Sequence, residues 1–464
     1  MKKDKSDKRK LLIMFSLILG IVFIFFAVIS AALFSSDNEV KIFDSEKNLI
    51  ATIKQNGDID TTSYCGDEVI EYINIVIDEV STYYSESKAI KYNSAKKLFL
   101  GNAQEVYTNL DIGMLSKIQQ AYLDSDVASQ SNFASVITDT NGRILASFGK
   151  GSSENIVYSL YKTYAGSTIK PISVYTPNIE SARACWSSKI KDAPIKEITD
   201  ASGRTRWWPS NASGKYTYED MLLCDALKKS TNTVAVRLLK DYSVKKAISF
   251  MESNFDIDLN YEKSLVQQYG DEEVLSNLAL GYLYAGVSPL DMAGYYQIFA
   301  NSGTYTKPYA VISVEGNKGT SYKTEIKTKR VISQETAQVM NELLKGVVLG
   351  DGTGKDAFIK GVEVAGKSGT SDNYADNWFV GCTPDYVCSV WHSNNGMHHN
   401  YASSLFADIV SGLPMEKSKF PSSHKITTAL YCKTTGLLKG PYCKNISLGH
   451  YLSSNVPKIC NCSI

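Results

Sequence analysis

From Leu11 to Phe34 the chain carries no charged residue. A run of that length crosses the roughly 30 Å hydrocarbon core of a bilayer as one helix. Lys2, Lys3, Lys5, Lys8, Arg9 and Lys10 precede it. By the positive-inside rule this cluster keeps residues 1–10 in the cytoplasm and puts everything after Phe34 outside the cell. Ser30-Ala31-Ala32 offers the small residues of a cleavable signal, but the apolar run exceeds a usual signal-peptide core, which favours an uncleaved anchor over 11–34. Beyond it the apolar period shortens. Val40 to Ile53 alternates in a strand-like way around the turn-forming Asp44-Ser45-Glu46-Lys47-Asn48. The apolar stretch Phe133–Thr138 and a second at Arg143–Ala146 flank Asp139-Thr140-Asn141-Gly142, which predicts a hairpin. Tyr218–Leu239 and Glu335–Val348 read as helical. Strand pairs at both ends with helices between them predict an α+β fold, a mainly antiparallel sheet packed by helices.

The 464 residues are 44% hydrophobic, ample for a buried core in one large domain or two to three average ones. With 49 basic and 48 acidic side chains the formal charge is +1, so no global field draws nucleic acid, which is set aside as a partner. Nine cysteines in an exported domain raise disulfides, and the odd number leaves at least one without a partner in the chain. Cys382 and Cys388 flank Thr383-Pro384-Asp385 and either pair across a hairpin or stay as buried free thiols. Cys432, Cys443 and Cys460 stand apart near the C-terminus. A zinc site built with Cys462 or His450 is the sharper alternative there, although the spacings fit no standard finger or ribbon.

Three short motifs carry the chemistry: Ser167-Thr168-Ile169-Lys170, Ser230-Thr231-Asn232 and Lys367-Ser368-Gly369-Thr370. A serine hydroxyl is a poor nucleophile until a base takes its proton, and residues three apart on a helical turn share a face, which brings the Lys170 amine toward Ser167. Lysine serves as that base only when its pKa is depressed by burial or by a second cation, a role open to Lys367. Gly166 and the start of a helix add a positive dipole end beneath Ser167. The plainer alternative is a cap serine with a solvated lysine. Ser230 and Asn232 either project into the same cleft or cap the following helix. Ser368 and Thr370 alternate to one face of a strand, Gly369 clears the way for a substrate backbone, and two hydroxyls beside Lys367 suit a carboxylate. None of this chemistry calls for a metal or a cofactor.

The flanks of the motifs resemble class A penicillin-binding proteins. Gly166 precedes the first motif and Pro171 follows it; Lys229-Ser230-Thr231-Asn232-Thr233-Val234-Ala235-Val236-Arg237-Leu238 is similar to the family's second motif. Gly366 to Thr370, running on to Asp376-Asn377-Trp378-Phe379-Val380-Gly381 and Thr383-Pro384-Asp385, resembles the third. Asp192-Ala193-Pro194-Ile195, Leu278-Ala279-Leu280-Gly281 with Val287-Ser288-Pro289-Leu290, and Gly346-Val347-Val348 match between them, and the stretch around Cys432, Cys443 and Cys460 looks like the tail of some Gram-positive members. The resemblance spans roughly residues 111–464. It implies a penicillin-binding transpeptidase fold and a D,D-transpeptidase that cross-links peptidoglycan stem peptides and is acylated by β-lactams. Ser167 would be the nucleophile and Lys170 its base. Ser230 would relay a proton to the leaving amine, while Asn232 holds the substrate amide and orients Lys170. Lys367, Ser368 and Thr370 would receive the terminal carboxylate, with the backbone N–H groups of Ser167 and Thr370 as oxyanion hole. D,D-carboxypeptidase, β-lactamase, and a silent scaffold or β-lactam receptor are the rivals.

The resulting division is a cytoplasmic tail (1–10), a single-pass membrane anchor (11–34), a short outer segment (35–110), the transpeptidase domain (111–412) and a cysteine-containing tail (413–464). Class A proteins place a glycosyltransferase domain where only a short stretch separates Ile53 from Tyr107-Thr108-Asn109-Leu110-Asp111, so no glycosyltransferase activity and a separate polymerising partner are expected. Asp78 and Glu79 sit near the place of that domain's catalytic glutamate, but a solvated pair on a helix face is preferred. After Trp391 the chain departs from the family with His392-Ser393-Asn394-Asn395 and Met397-His398-His399, where a solvated loop is favoured over a metal site. Trp207-Trp208-Pro209 suits either sugar stacking or packing beneath a loop.

Overall fold

The structure is a computed structural model that describes residues 39–128, 131–153, 155–199, 202–317, 319–393 and 399–462. The expected basic tail and anchor over 11–34 lie outside them, as do Asn394, Asn395, Met397 and His398; among the described residues no helix is long and apolar enough to cross a membrane.

The alternating stretch at 40–53 forms strands β1 (Val40–Phe43) and β2 (Leu49–Ile53), joined by a turn in which Asp44 Oδ1 accepts from the backbone of Glu46 and Asn48. Strand β3 (Ile59–Thr61), helices α1 (Ile70–Lys88) and α2 (Tyr92–Asn102), and strand β4 (Ala103–Thr108) follow. Helix α3 (Ile112–Leu123) opens on Asp111, whose carboxylate accepts from Met114 N. The predicted hairpin is β5 (Phe133–Asp139) and β6 (Ile144–Lys150), and Gly142 takes a positive φ in its turn. Helices α4 (Leu223–Lys228) and α5 (Asn232–Tyr242) replace the single helix expected over 218–239. Then come α6 (Pro289–Ala300), β7 (Val311–Gly316), β8 (Gly319–Lys323), α7 (Gln334–Val348), β9 (Ala365–Thr370), β10 (Asp376–Cys382), β11 (Tyr386–Ser393), α8 (Ala402–Val410), β12 (Ile426–Cys432) and β13 (Ile446–Leu452).

The main sheet runs β9-β10-β11-β5-β6, antiparallel throughout, so the third motif lies on an edge strand. Side-chain alternation along β10 sends Phe379 onto Phe406 of α8 and Cys382 toward Tyr296 of α6 on the opposite face. Helix α6 is buried on almost every residue, as a central helix must be; Pro289 at its first turn and the Ser288–Asp291 capping box fix its start. Because Cys382 opposes Val387 and Cys388 opposes Gly381, the two thiols point to opposite faces and stay free.

A second sheet, β8-β7-β4-β1-β2-β3, joins the segment before residue 110 to strands from 311–323. The early segment is thus part of the folded body. Glu79 on α1 is not solvated: its carboxylate accepts from Ala310 N at 2.6 Å and from the Tyr322 hydroxyl at 3.2 Å, pinning the helix to β7. Asp78 accepts from the Tyr92 hydroxyl. Both do structural work.

Candidate active site

Gly166 to Ile169 form a 3₁₀ turn, and Pro171 to Tyr175 form one wide π turn directly after Lys170. Pro171 has no N–H and its ring crowds the carbonyl four residues back, which explains the change of winding there. In a 3₁₀ turn residues three apart eclipse, so Ser167 and Lys170 stand one above the other. Gly166 has φ +51, and a Cβ there would lie 2.9–3.0 Å from the carbonyl and amide atoms of Thr370. Gly281, at φ +87, is the matching gap on the other side, since its Cβ would overlap the backbone of Gly166. The turn carrying Ser167 is therefore clamped between β9 and the end of the helix Leu275–Leu280.

Gly369 serves a packing purpose beyond the one its motif suggests. A Cβ on it would meet Ala165 O and Thr168 Cγ2, both at 2.8 Å, so the missing side chain admits the Ser167 turn, and Gly369 also lines the cleft. Alternation puts Gly369 on the sheet face that packs against that turn, while Ser368 and Thr370 line an open cleft of about 770 Å³ together with Ser167, Ser230 and Asn232.

The second motif sits in the tight turn between α4 and α5, where Ser230 holds φ +58. A β-hydroxyl residue in the left-handed region is strained by about 1–2 kcal/mol, and here the strain aims its hydroxyl inward. Capping of α5 falls to neither Ser230 nor Asn232. Asn211 does it from a distant loop, its Oδ1 accepting from Asn232 N at 3.0 Å and Thr233 N at 3.3 Å. Asn211 is held in turn by Asp192, which also accepts from the Thr233 hydroxyl at 2.6 Å and Thr217 N at 2.9 Å. Desolvation works against the Asp192 carboxylate, but these donors outweigh it and hold its pKa below the usual value.

With the cap supplied elsewhere, the motif side chains are free to meet Lys170 and Lys367, both fully buried. Lys170 Nζ donates to Ser230 O at 2.8 Å and Asn232 Oδ1 at 2.5 Å, and lies 3.2 Å from Ser230 Oγ. Lys367 Nζ lies 2.9 Å from the same Oγ and donates to Ser368 O at 2.8 Å. One hydroxyl is thus held between two amines. Burial drives the Lys170 pKa well below the ordinary lysine value and the nearby Lys367 charge lowers it further; burial brings Lys367 down to about 7. Ser167 Oγ makes no hydrogen bond among the described residues, and Ser167 is half-buried, as Asn232 is, while Lys170, Ser230 and Lys367 are buried.

The arrangement can move protons. A neutral Lys170 has two N–H bonds and one lone pair; Ser230 O and Asn232 Oδ1 accept the two N–H, which leaves the lone pair for a hydroxyl proton. Around the rim, Ser368 Oγ donates to Thr353 Oγ1 at 2.8 Å, and Asn400 Nδ2 donates to Gly369 O at 2.8 Å and Thr370 Oγ1 at 3.1 Å. Trp208 and His399 also line the cleft, whereas His392 is buried and neutral, its pKa lowered to about 4 by burial. The structure thus gathers all eight candidate site residues of the three motifs, Ser167, Lys170, Ser230, Asn232, Lys367, Ser368, Gly369 and Thr370. Sequence reasoning gave no role to Asn211, Asp192, Asn400 or Gly281. Asp192 and Gly281 stand in stretches that resemble the family, which is the signal the chain offers for them; Asn211 and Asn400 carry none.

A sequence profile described as the penicillin binding protein transpeptidase domain matches residues 133–411. The chain is 32% identical over 370 residues to penicillin-binding protein 4 of Bacillus subtilis, covering 75% of this chain and 56% of that protein. It is 28% identical over 369 residues to penicillin-binding protein 1A of Clostridium botulinum, covering 74% and 43%. The chain spans about half the length of these curated relatives. The D,D-transpeptidase domain of a peptidoglycan glycosyltransferase from Eggerthella lenta superposes with a TM-score of 0.59 at 22% identity, over 81% of this chain and 98% of that one. Penicillin-binding protein A of M. tuberculosis, solved as an imipenem acyl-enzyme, gives 0.58 at 18%, with the same coverage. These two likenesses show the fold.

Proposed function

Because the chain belongs to the penicillin-binding protein transpeptidase family, we propose that it is a serine D,D-transpeptidase that cross-links peptidoglycan stem peptides and is acylated by β-lactams. The observation that carries this reading is the Ser230 hydroxyl held between the buried amines of Lys170 and Lys367. Neutral Lys170 takes the proton of Ser167 as its Oγ attacks the carbonyl of the penultimate D-alanine. The proton passes through Ser230 to the departing amine, terminal D-alanine leaves, and the donor stem remains as an ester on Ser167. Attack by the amine of a neighbouring stem runs the same relay in reverse and restores Ser167. The backbone N–H groups of Ser167 and Thr370 receive the oxyanion, a role supported by the close approach of Gly166 to Thr370. Lys367, Ser368 and Thr370 receive the free carboxylate, whose charge would raise the Lys367 pKa and keep it cationic. Asn232 holds the stem-peptide amide and orients Lys170.

We further propose that residues 11–34 anchor the chain with this site outside the cell, and that a separate glycosyltransferase makes the glycan strands. In support of the second point, residues 40–108 build three strands, two helices and a fourth strand of one sheet shared with residues 311–323, so this segment serves the same folded body as the site.

A donor stem pentapeptide and an amine-bearing acceptor stem, analysed by mass spectrometry, test the reading. A cross-linked dimer lacking one D-alanine is the expected product. Release of D-alanine with only the shortened monomer would replace transpeptidase by carboxypeptidase, and no turnover of either kind would overturn the enzymatic reading.

A further inference from the structure

Behind the catalytic body, the last residues form a small module that the proposed reaction does not use. Its hairpin, β12 and β13, pairs from Ile426↔Leu452 to Cys432↔Ile446. Among the described residues its own apolar cluster has three buried members, Leu222, borrowed from the main body, with Tyr431 and Tyr451, and partly buried residues such as Leu438 and Val456 around them. So small a core rarely holds a fold without a staple.

Four cysteines meet at one end of this hairpin. Cys432 ends β12, Cys443 precedes β13, and Cys460 and Cys462 arrive on the final segment. That segment is tied on by Cys460 N to Leu438 O and Leu438 N to Lys458 O, at 2.8 and 2.9 Å. All four sulfurs lie within 4.8 Å of one another. Cys432 and Cys462 are 4.0 Å apart and Cys460 and Cys462 are 2.8 Å apart. Two disulfides would need only two close pairs, and the remaining separations would have no reason to be short. Mutual closeness of all four is the geometry of a shared centre: metal–sulfur bonds of about 2.3 Å in a tetrahedron set the sulfurs about 3.8 Å apart.

The surroundings fit thiolates. Gly440 N donates to Cys443 Sγ at 3.3 Å and the Thr435 hydroxyl donates to Cys460 Sγ at 3.2 Å, the outer-shell bonds that orient metal-bound sulfur. Between Ile426 and Cys462 the sequence holds Lys433, Lys439, Lys444 and Lys458 and no acidic residue. That local charge balances a divalent ion carrying four thiolates. His450, the other ligand the sequence offered, packs edge-on against Trp186 and faces Glu342, so Cys462 completes the set.

We infer that Cys432, Cys443, Cys460 and Cys462 bind one structural zinc ion. Four thiols lose four protons as four Zn–S bonds form, and no electron changes hands. With all four positions taken by protein the ion has no open site for catalysis. Its effect is mechanical. Ser187 Oγ donates to Gly436 O at 2.6 Å and Lys189 Nζ donates to Thr434 O at 2.7 Å, so the module grips the strand that leads to Asp192 and the cap of α5.

The test uses the full chain, purified without chelator, with metal content read by plasma mass spectrometry. About one zinc per chain is expected, retained in Cys185→Ser and Cys224→Ser and lost in Cys443→Ser. Replacement by cobalt should give the intense visible bands and sulfur-to-metal charge transfer of a tetrahedral tetrathiolate, and this measurement on the native sequence stands even where a variant fails to fold. Metal-free protein whose denatured, unreduced mass is four hydrogens short would establish two disulfides and overturn the proposal. Metal-free protein with four alkylatable thiols here, or zinc retained in all four single Cys→Ser variants of this cluster, would overturn it as well.

Discussion

Removing the charge at Lys367 tests the two-amine arrangement through the pH dependence of acylation. Both Nζ atoms touch Ser230 Oγ, so they lie within about 6 Å of each other. Two unit charges at about 6 Å with an effective dielectric of about 20 repel by roughly 3 kcal/mol, or about two pKa units. The pair therefore loses its protons in two steps: Lys170, lowered by burial and by the Lys367 charge, gives up the first, and Lys367 holds the second up to about pH 7. Acylation by a chromogenic cephalosporin should fall about tenfold per pH unit on the acidic side, once Lys170 protonates. In Lys367→Met the burial of Lys170 remains but the repulsion is gone, so Lys170 holds its proton longer and the acidic limb moves to higher pH, by up to about two units. The absolute rate falls too, through loss of the carboxylate partner, but the position of the limb is read independently of its height. Stopped-flow or manual mixing from pH 4 to 10 on both proteins is the assay. An acidic limb that stays in place, or moves to lower pH, would refute the coupling.

Three further outcomes follow from the geometry. Gly166→Ala places a methyl against the Thr370 backbone at positive φ, and a shift of the Ser167 turn by a fraction of an ångström should slow acylation about 10- to 100-fold while circular dichroism and cooperative melting persist. Asp192→Ala removes the partner of Thr233, Thr217 N and Asn211 and should cost about 3 kcal/mol in denaturant unfolding, with acylation impaired because the cap on Asn232 loosens. Glu71, buried and accepting from Ser159 N at 2.6 Å, has its pKa raised by desolvation to about 7. The folded state then binds more protons than the unfolded one between about pH 4.3 and 7, so stability falls as pH rises through that window, by up to about 4 kcal/mol, and Glu71→Gln should flatten the slope.

Much of this was legible in the chain because it depends on neighbours in sequence. The β5–β6 hairpin follows from an Asn-Gly turn between apolar runs, and Ser167 and Lys170 share a turn through a spacing of three. The α+β architecture follows from the order of such elements. What escaped depends on contacts between distant segments. No local pattern announces that Asn211 caps a helix starting at Asn232, and without that cap Ser230 and Asn232 read equally well as capping residues. The break at Lys229–Thr231 hides inside a good helical period because Leu223 and Leu227 before it stay in step with Val234 and Leu238 after it. Glu79 looks solvated until β7 is laid across α1. Gly369 is a related case: its smallness is evident in the motif, but the turn at Ala165 and Thr168 that also needs it comes from a distant segment. The cysteine cluster has spacings that fit no standard finger or ribbon, since its members come from three segments brought together by a hairpin and a tied C-terminal segment.

The most direct test of the central claim is covalent labelling of the folded chain with a fluorescent penicillin, followed by intact mass and peptide mapping, for wild type and Ser167→Ala. The account predicts a stable adduct of one penicillin on the wild-type peptide that contains Ser167 and none on the variant. Labelling that persists in Ser167→Ala, or folded wild-type protein that takes no label, would contradict it.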